Sequence, residues 1–174
     1  MVGLPIDEEN LWQQKSVMGL EISIVKGTIQ HLRDCTEALL NSEIGAVYFP
    51  SEQRAQAFLQ EGLTKGEVFV AVDTKGNCLG YIWFTLGGAF YKFPYVLNIA
   101  IQKDCRRKGV GKQLLPYFED KGFAKASRVF LLVNDFNAEA KNFYHDLWYA
   151  EVGLIPDLVQ EGVAEHIMMK TKQE

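Results

Sequence analysis

Residues 103–112 hold the densest chemistry in the chain. Lys103, Arg106, Arg107, Lys108 and Lys112 stand there with Asp104 as the lone acid, a local net of +4 inside a protein of formal net charge −4. An apolar run, Tyr95 to Ile101, precedes them, and a helical pattern with Leu114 and Leu115 follows. A turn between a buried strand and a helix start gathers anions, because free backbone N–H groups and the positive end of the helix dipole converge there. Gly109 and Gly111 let the main chain approach a ligand without a Cβ in the way. A phosphate or pyrophosphate is the expected guest. Each charge-assisted hydrogen bond to it is worth about 1.5–3 kcal/mol, so three or four outweigh the weak repulsion of an anion by the acidic whole.

Two familiar phosphate loops do not fit this segment. A Walker A loop needs Ser or Thr after Gly-Lys, whereas Gln113 follows Lys112, and Arg106 stands where its first glycine belongs. A dinucleotide fingerprint needs glycine where Leu114 stands. The second segment of interest runs from Asn137 to Tyr144 and opens a helix. Asn137 suits the N-cap and Glu139 the first turn, while Ala140, Phe143, Tyr144 and Leu147 form an inward stripe. Seven residues separate Asn137 from Tyr144, so the two point to nearly the same side, two turns apart. On this pattern Phe143, Leu147 and Trp148 belong to the core.

The elements that must carry these segments follow from periodicity. Residues 20–25 alternate as a half-buried strand. Thr28 suits an N-cap for a helix reaching Leu40, and Ser51 begins a second helix that ends near Gly62. Residues 67–73 and 78–86 are strands joined by a turn at 73–77, and Gly87-Gly88 should break the second. Residues 95–101 form a strand of the kind buried on both faces. A helix to about Ala126 follows, with Pro116 expected to kink it. A strand at 128–133, a helix at 138–148 and a strand at 163–170 complete the set. Hairpins mixed with one strand–helix–strand crossover give an α+β fold, α/β/α in three layers around a mixed sheet. Residues 1–19 read as an N-terminal extension and 20–174 as one domain.

Composition narrows the class. The 174 residues are 48% hydrophobic and 23% charged, enough apolar material for a real core. The net −4 argues against a nucleic-acid coat or a polybasic membrane binder. Cys35, Cys78 and Cys105 are odd in number and lack Cys-x-x-Cys spacing, which fits a reducing compartment. His31, His145 and His166 are scattered, so no zinc template can be written and no metal is expected. Asp7, Glu8 and Glu9 stand where a signal peptide would be basic and apolar, and no run approaches a membrane span. A cytoplasmic location is the resulting expectation.

Arg106-x-x-Gly109-x-Gly111 resembles the signature of the GNAT superfamily of N-acetyltransferases, Arg/Gln-x-x-Gly-x-Gly/Ala after a central apolar strand. Leu97-Asn98-Ile99-Ala100-Ile101 before it and Leu114-Leu115 after it are similar to the same family, and the resemblance covers about residues 20–170. It implies a mostly antiparallel sheet flanked by helices and acetyl-coenzyme A as co-substrate. Arg106, Arg107, Lys108, Gly109, Val110, Gly111 and Lys112 would wrap its pyrophosphate. The main chain of Ile99, Ala100 and Ile101 would hold its pantetheine arm, and an amide there would polarise the thioester carbonyl. Asn137 to Tyr144 resembles the family's Asn-x-x-Ala-x-x-x-Tyr, in which Asn contacts the cofactor and Tyr sits beside its sulfur. A phenol there can give a proton to the departing thiolate, so Tyr144 is the candidate general acid.

The acceptor side is less defined. A lysine-like amine is neutral about once in 2,500 molecules at pH 7, a cost of roughly 4–5 kcal/mol, so a base is expected. The strand position where relatives often carry glutamate offers Phe93, Tyr95 and Asn98 instead. Glu21, Tyr91 and Asp135 remain as candidates, none compelling. Cys105 lies beside the basic turn, but nothing marks a neighbouring base for an acyl-cysteine route. Helices within 28–62, the 87–95 loop and the 153–162 loop should frame the acceptor, with Tyr81, Trp83, Phe90, Tyr91 and Tyr95 to line it. The rival reading is a non-catalytic coenzyme A sensor that binds a partner protein, and a small structural domain without cofactor is a further one. Edge strands and residues 1–19 leave room for a homodimer.

Overall fold

A computed structural model describes residues 12–17 and 20–173. Eight strands form one sheet: β1 (Trp12–Val17), β2 (Leu20–Lys26), β3 (Val68–Val72), β4 (Cys78–Ala89), β5 (Phe93–Ile101), β6 (Arg128–Asn134), β7 (Ala150–Pro156) and β8 (Ala164–Thr171). Their order across the sheet is β1-β2-β3-β4-β5-β6-β8-β7. Neighbours are antiparallel except β5 and β6, which the helical crossover makes parallel. The α+β, three-layer architecture expected from the sequence is the one observed. Part of the expected extension belongs to the sheet, since β1 pairs with β2 along its edge.

The helices are α1 (Leu32–Leu40), α2 (Glu43–Tyr48), α3 (Glu52–Lys65), α4 (Gly111–Phe123) and α5 (Ala138–Asp146). One face of the sheet packs on α1 and α3 around Leu39, Leu59, Tyr81 and Trp83. The other packs on α4 and α5 around Ile82, Phe84, Leu114, Phe118 and Leu131. Ser42 Oγ accepts from Gly45 N at 3.0 Å to start α2, and Ser51 Oγ accepts from Arg54 N at 3.3 Å to start α3. Helix α2 has six residues, too few for a periodic pattern to reveal it.

Three local expectations need correction. Gly87-Gly88 does not end β4, which runs on to Ala89 and absorbs the glycines as a register shift against β5. Trp148 is not core. Helix α5 stops at Asp146, Trp148 takes a left-handed φ of 67°, and its ring is 77% exposed. Residues 153–156 are not loop but part of β7, whose exposed edge position left no apolar alternation to read. Pro116 lies inside α4, which continues to Phe123.

Candidate active site

The site begins with a defect in strand pairing. Trp83 faces Asn98 and its neighbour Phe84 faces Val96, so Leu97 is an extra residue, a bulge in β5. Bulges bend the strand that carries them and re-aim its side chains. Here Tyr95 faces Phe130 across the sheet, and Asn98, past the bulge, accepts a 2.5 Å hydrogen bond from the Tyr81 hydroxyl on the α1–α3 face. Val96 and Ile99 pack into the α4 side. Pairing of β5 with β6 is confined to Tyr95↔Phe130 and Val96↔Leu131. Beyond them the parallel strands part, and among the described residues the β6-facing edge of residues 97–101 has no strand partner. Ile99, Ala100 and Ile101 lie on that open edge.

The basic turn lies at the end of this opening. A 3-10 turn, Lys103–Cys105, leads to Arg107 at φ 60° and Gly109 at φ 85°, and α4 starts after Val110. At Gly109 any L side chain would strain the left-handed backbone. At Gly111 a Cβ would lie 3.2 Å from Phe143 Cζ. Helices α2, α3 and α5 each start with a side-chain cap, whereas α4 has none. Its first-turn amides therefore remain for an anion. Arg106, Arg107, Lys108 and Lys112 are exposed around them. Arg106 is also a fastener: Nε donates to Ile101 O at 3.3 Å and Nη2 to Asn41 O at 2.6 Å, tying the turn to β5 and α1. Arg107 pairs with Glu139 at 3.5 Å, an exposed contact of little energetic weight.

Asn137 caps α5 as expected, its Oδ1 accepting from Ala140 N at 3.1 Å. Tyr144, two turns on, is 6% exposed and packs edge-on between Phe143 and Tyr149, with ring centroids 5.5 and 5.9 Å away. Among the described residues its hydroxyl has no hydrogen-bond partner. Burial, and then the Tyr95 phenol beside it, push Tyr144 above the ordinary tyrosine range, so it stays a proton donor well above neutrality. Burial and then the Glu165 charge push Tyr95 up to about 12.

The acceptor framing is met in part. Tyr81 and Trp83 are core residues, with relative exposures of 0% and 2%, and line no pocket. Phe90 and Tyr91 form the β4–β5 hairpin tip, both at positive φ (53° and 56°), and Phe90 packs edge-on to Phe130 at 5.6 Å. With Tyr95, Phe130, Ile155 and Ile167 it lines a cavity of about 160 Å³. Glu21 is exposed on β2, three strands from β5, Tyr91 is fully exposed, and Asp135 is exposed with Ala164 N at 3.4 Å. The carboxylate the fold does bring in is Glu165, which sequence reading passed over. It is 2% exposed, and it accepts from Tyr48 at 2.6 Å and from Asn134 at 3.0 Å. No local signal marked it, since both alternations of residues 164–169 carry apolar side chains.

The parted strands β5 and β6, the basic and uncapped start of α4 and the buried Tyr144 are the features on which a functional assignment has to rest. Residues 31–147 match the model of the Acetyltransferase (GNAT) family, and the chain belongs to that family. Its members are N-acetyltransferases that use acetyl-coenzyme A and act on amines. The chain is 29% identical over 106 residues to an uncharacterized N-acetyltransferase of Methanocaldococcus jannaschii, a stretch covering 60% of this chain and 66% of that protein. Its fold is similar to Ard1 from Thermoplasma volcanium (TM-score 0.72, 18% identity, 88% of this chain and 99% of that one). It is also similar to the spermidine N-acetyltransferase SpeG of Vibrio cholerae (TM-score 0.68, 16% identity, 86% and 93%). Among the described residues no helix is long and apolar enough to cross a membrane, and no group of three metal-ligating side chains occurs.

Proposed function

We propose that this protein transfers an acetyl group from acetyl-coenzyme A to a primary amine by direct attack within a ternary complex. The observation that supports the reading is the opening between β5 and β6, followed along the chain by the uncapped start of α4; we assign its throat to Tyr144, whose phenol interacts with that of Tyr95 at the last paired positions. When bound, the co-substrate supplies an activated thioester.

The chain's own residues then divide the work. The amides of Gly109, Val110, Gly111 and Lys112, with the side chains of Arg107, Lys108 and Lys112 around them, hold the pyrophosphate. Arg106 keeps that turn in place through Ile101 O and Asn41 O. The open edge of Ile99, Ala100 and Ile101 pairs with the amide-bearing pantetheine arm as an added strand would. Asn137 spends its carbonyl on the α5 cap, which leaves its NH2 to donate. Tyr144 holds a proton for the departing thiolate, and its burial keeps that proton in place.

Calorimetry with coenzyme A and free-thiol release with a panel of primary amines test the reading. Micromolar-range binding together with amine-dependent thiol release supports it. Binding without release from any amine favours a coenzyme A sensor, and absence of binding removes both readings.

A further inference from the structure

The Glu165 carboxylate is in an unusual position for a buried charge. No lysine, arginine or histidine pairs with it among the described residues, and its hydrogen bonds come from two neutral groups, the Tyr48 hydroxyl and the Asn134 amide. Asn134 Nδ2 donates to Glu165 Oε1 at 3.0 Å, to Oε2 at 3.3 Å and to the Tyr48 oxygen at 3.2 Å. That sharing fixes the amide's orientation, because the flipped form would set its carbonyl against the carboxylate. In the orientation so fixed, Asn134 Oδ1 is left buried with no partner, in a side chain only 4% exposed. A buried carboxylate short of donors beside a buried carbonyl with none is costly unless a ligand completes it.

The surroundings say which ligand. Asn134 lies opposite Glu165, Leu132 opposite Ile167, and Tyr95 opposite Phe130, so all six share one face of the sheet. One pleat repeat along β8, about 7 Å, separates Glu165 from Ile167 on the wall of the apolar cavity. The Glu165 charge also reaches Tyr95, which lines the same cavity and stands at the last paired positions before β5 and β6 part. We infer that Glu165 and Asn134 Oδ1 are the anchor on which the acceptor's amine arrives as an ammonium group, before the proton loss that attack requires, and that the acceptor is a primary amine whose adjoining apolar portion lies in the cavity between Phe90, Phe130 and Ile167. A primary ammonium brings three donors and one positive charge, which matches two acceptors short of donors and one uncompensated negative charge. This inference rests on the acetyltransferase reading above, and it narrows the acceptor from any amine to a cation with an apolar neighbour.

The experiment is an NMR titration of the protein–coenzyme A complex with hexylammonium, with 1-hexanol as the neutral control and spermidine as the cation lacking an apolar tail. Saturable hexylammonium binding, about 10- to 100-fold tighter than hexanol, is expected, the range one charge-assisted hydrogen-bond set carries. Glu165→Gln should lose that margin while coenzyme A affinity, read by calorimetry, stays within about twofold. Equal binding of hexylammonium and hexanol to the native protein overturns the inference, and that comparison stands even if the variant fails to fold. Spermidine binding as tightly as hexylammonium overturns the apolar part of it. Failure to bind coenzyme A at all is a separate result and counts against the acetyltransferase reading instead.

Discussion

The two ends of the proposed site are built on opposite plans. At the donor end, ten consecutive residues do nearly everything: exposed cations, two glycines and the bare first turn of α4. At the acceptor end, three residues from α2, β6 and β8, up to 117 positions apart, form a cluster in which Glu165 and Asn134 are buried and Tyr48 is half-buried. A pyrophosphate carries its own strong charge, so solvated donors and a helix dipole suffice to hold it. A single ammonium group offers less, so its recognition needs desolvated acceptors, where electrostatics is stronger and mispairing is penalised. The difference also separates binding of the donor from choice of the acceptor, and mutations should separate them in the same way.

Gly109→Glu is expected to have the largest effect. It forces a side chain onto a φ of 85° and sets a negative charge among the pyrophosphate donors, so coenzyme A affinity should fall at least about 100-fold. Calorimetry reads this directly, and an unchanged affinity would detach the basic turn from the cofactor. Tyr144→Phe tests the throat between the two ends. Turnover should drop by about 10²-fold or more with coenzyme A affinity nearly unchanged. Equal turnover removes the proton-donor role.

The pH profile follows from the same group. Neutral amine rises about tenfold per pH unit below its pKa, so activity should climb from pH 7 to 9. Tyr144, held above the ordinary tyrosine range by burial, remains protonated throughout and imposes no alkaline fall in that window. A profile that turns down before pH 9 would contradict its assignment. Tyr48→Phe should act on the acceptor end alone. It removes one donor to Glu165, and about a tenfold change in KM for the amine is expected with donor affinity intact.

The smallest effect is a control outside both ends. Glu151 is held down to about 2 by hydrogen bonds from Lys141 and then His166, at 2.7 and 2.8 Å. Its carboxyl pKa is lowered by folding, so its stabilisation is present above the ordinary glutamate value and fades as pH falls towards 2. Glu151→Gln should flatten the acid side of a thermal-melting profile while both affinities stay as they were.

Much of the donor end was legible because its determinants are local. Charge density, glycine spacing and a helix start occupy one short segment, and capping by Asn137 is settled within four residues. Trp148 and the Gly87-Gly88 stretch misled for the complementary reason: helix α5 ends before Trp148, and pairing with β5 carries β4 past its glycines. Glu165 was passed over because a strand's inward and outward faces alternate every residue, and nothing in its flanks, Ala164 and His166, says which face is covered. Tyr81 and Trp83 look like pocket aromatics in the sequence, yet α1 and α3 cover them.

Sequence alone determined the class of fold, the basic glycine turn before a helix and the buried phenol, since each depends on periodicity or on residues within two helical turns. Tertiary structure decided where β5 leaves β6 and which carboxylate is buried beside Asn134. Those depend on a one-residue bulge and on strand register, and register joins residues more than a hundred positions apart by hydrogen bonds that carry no local trace.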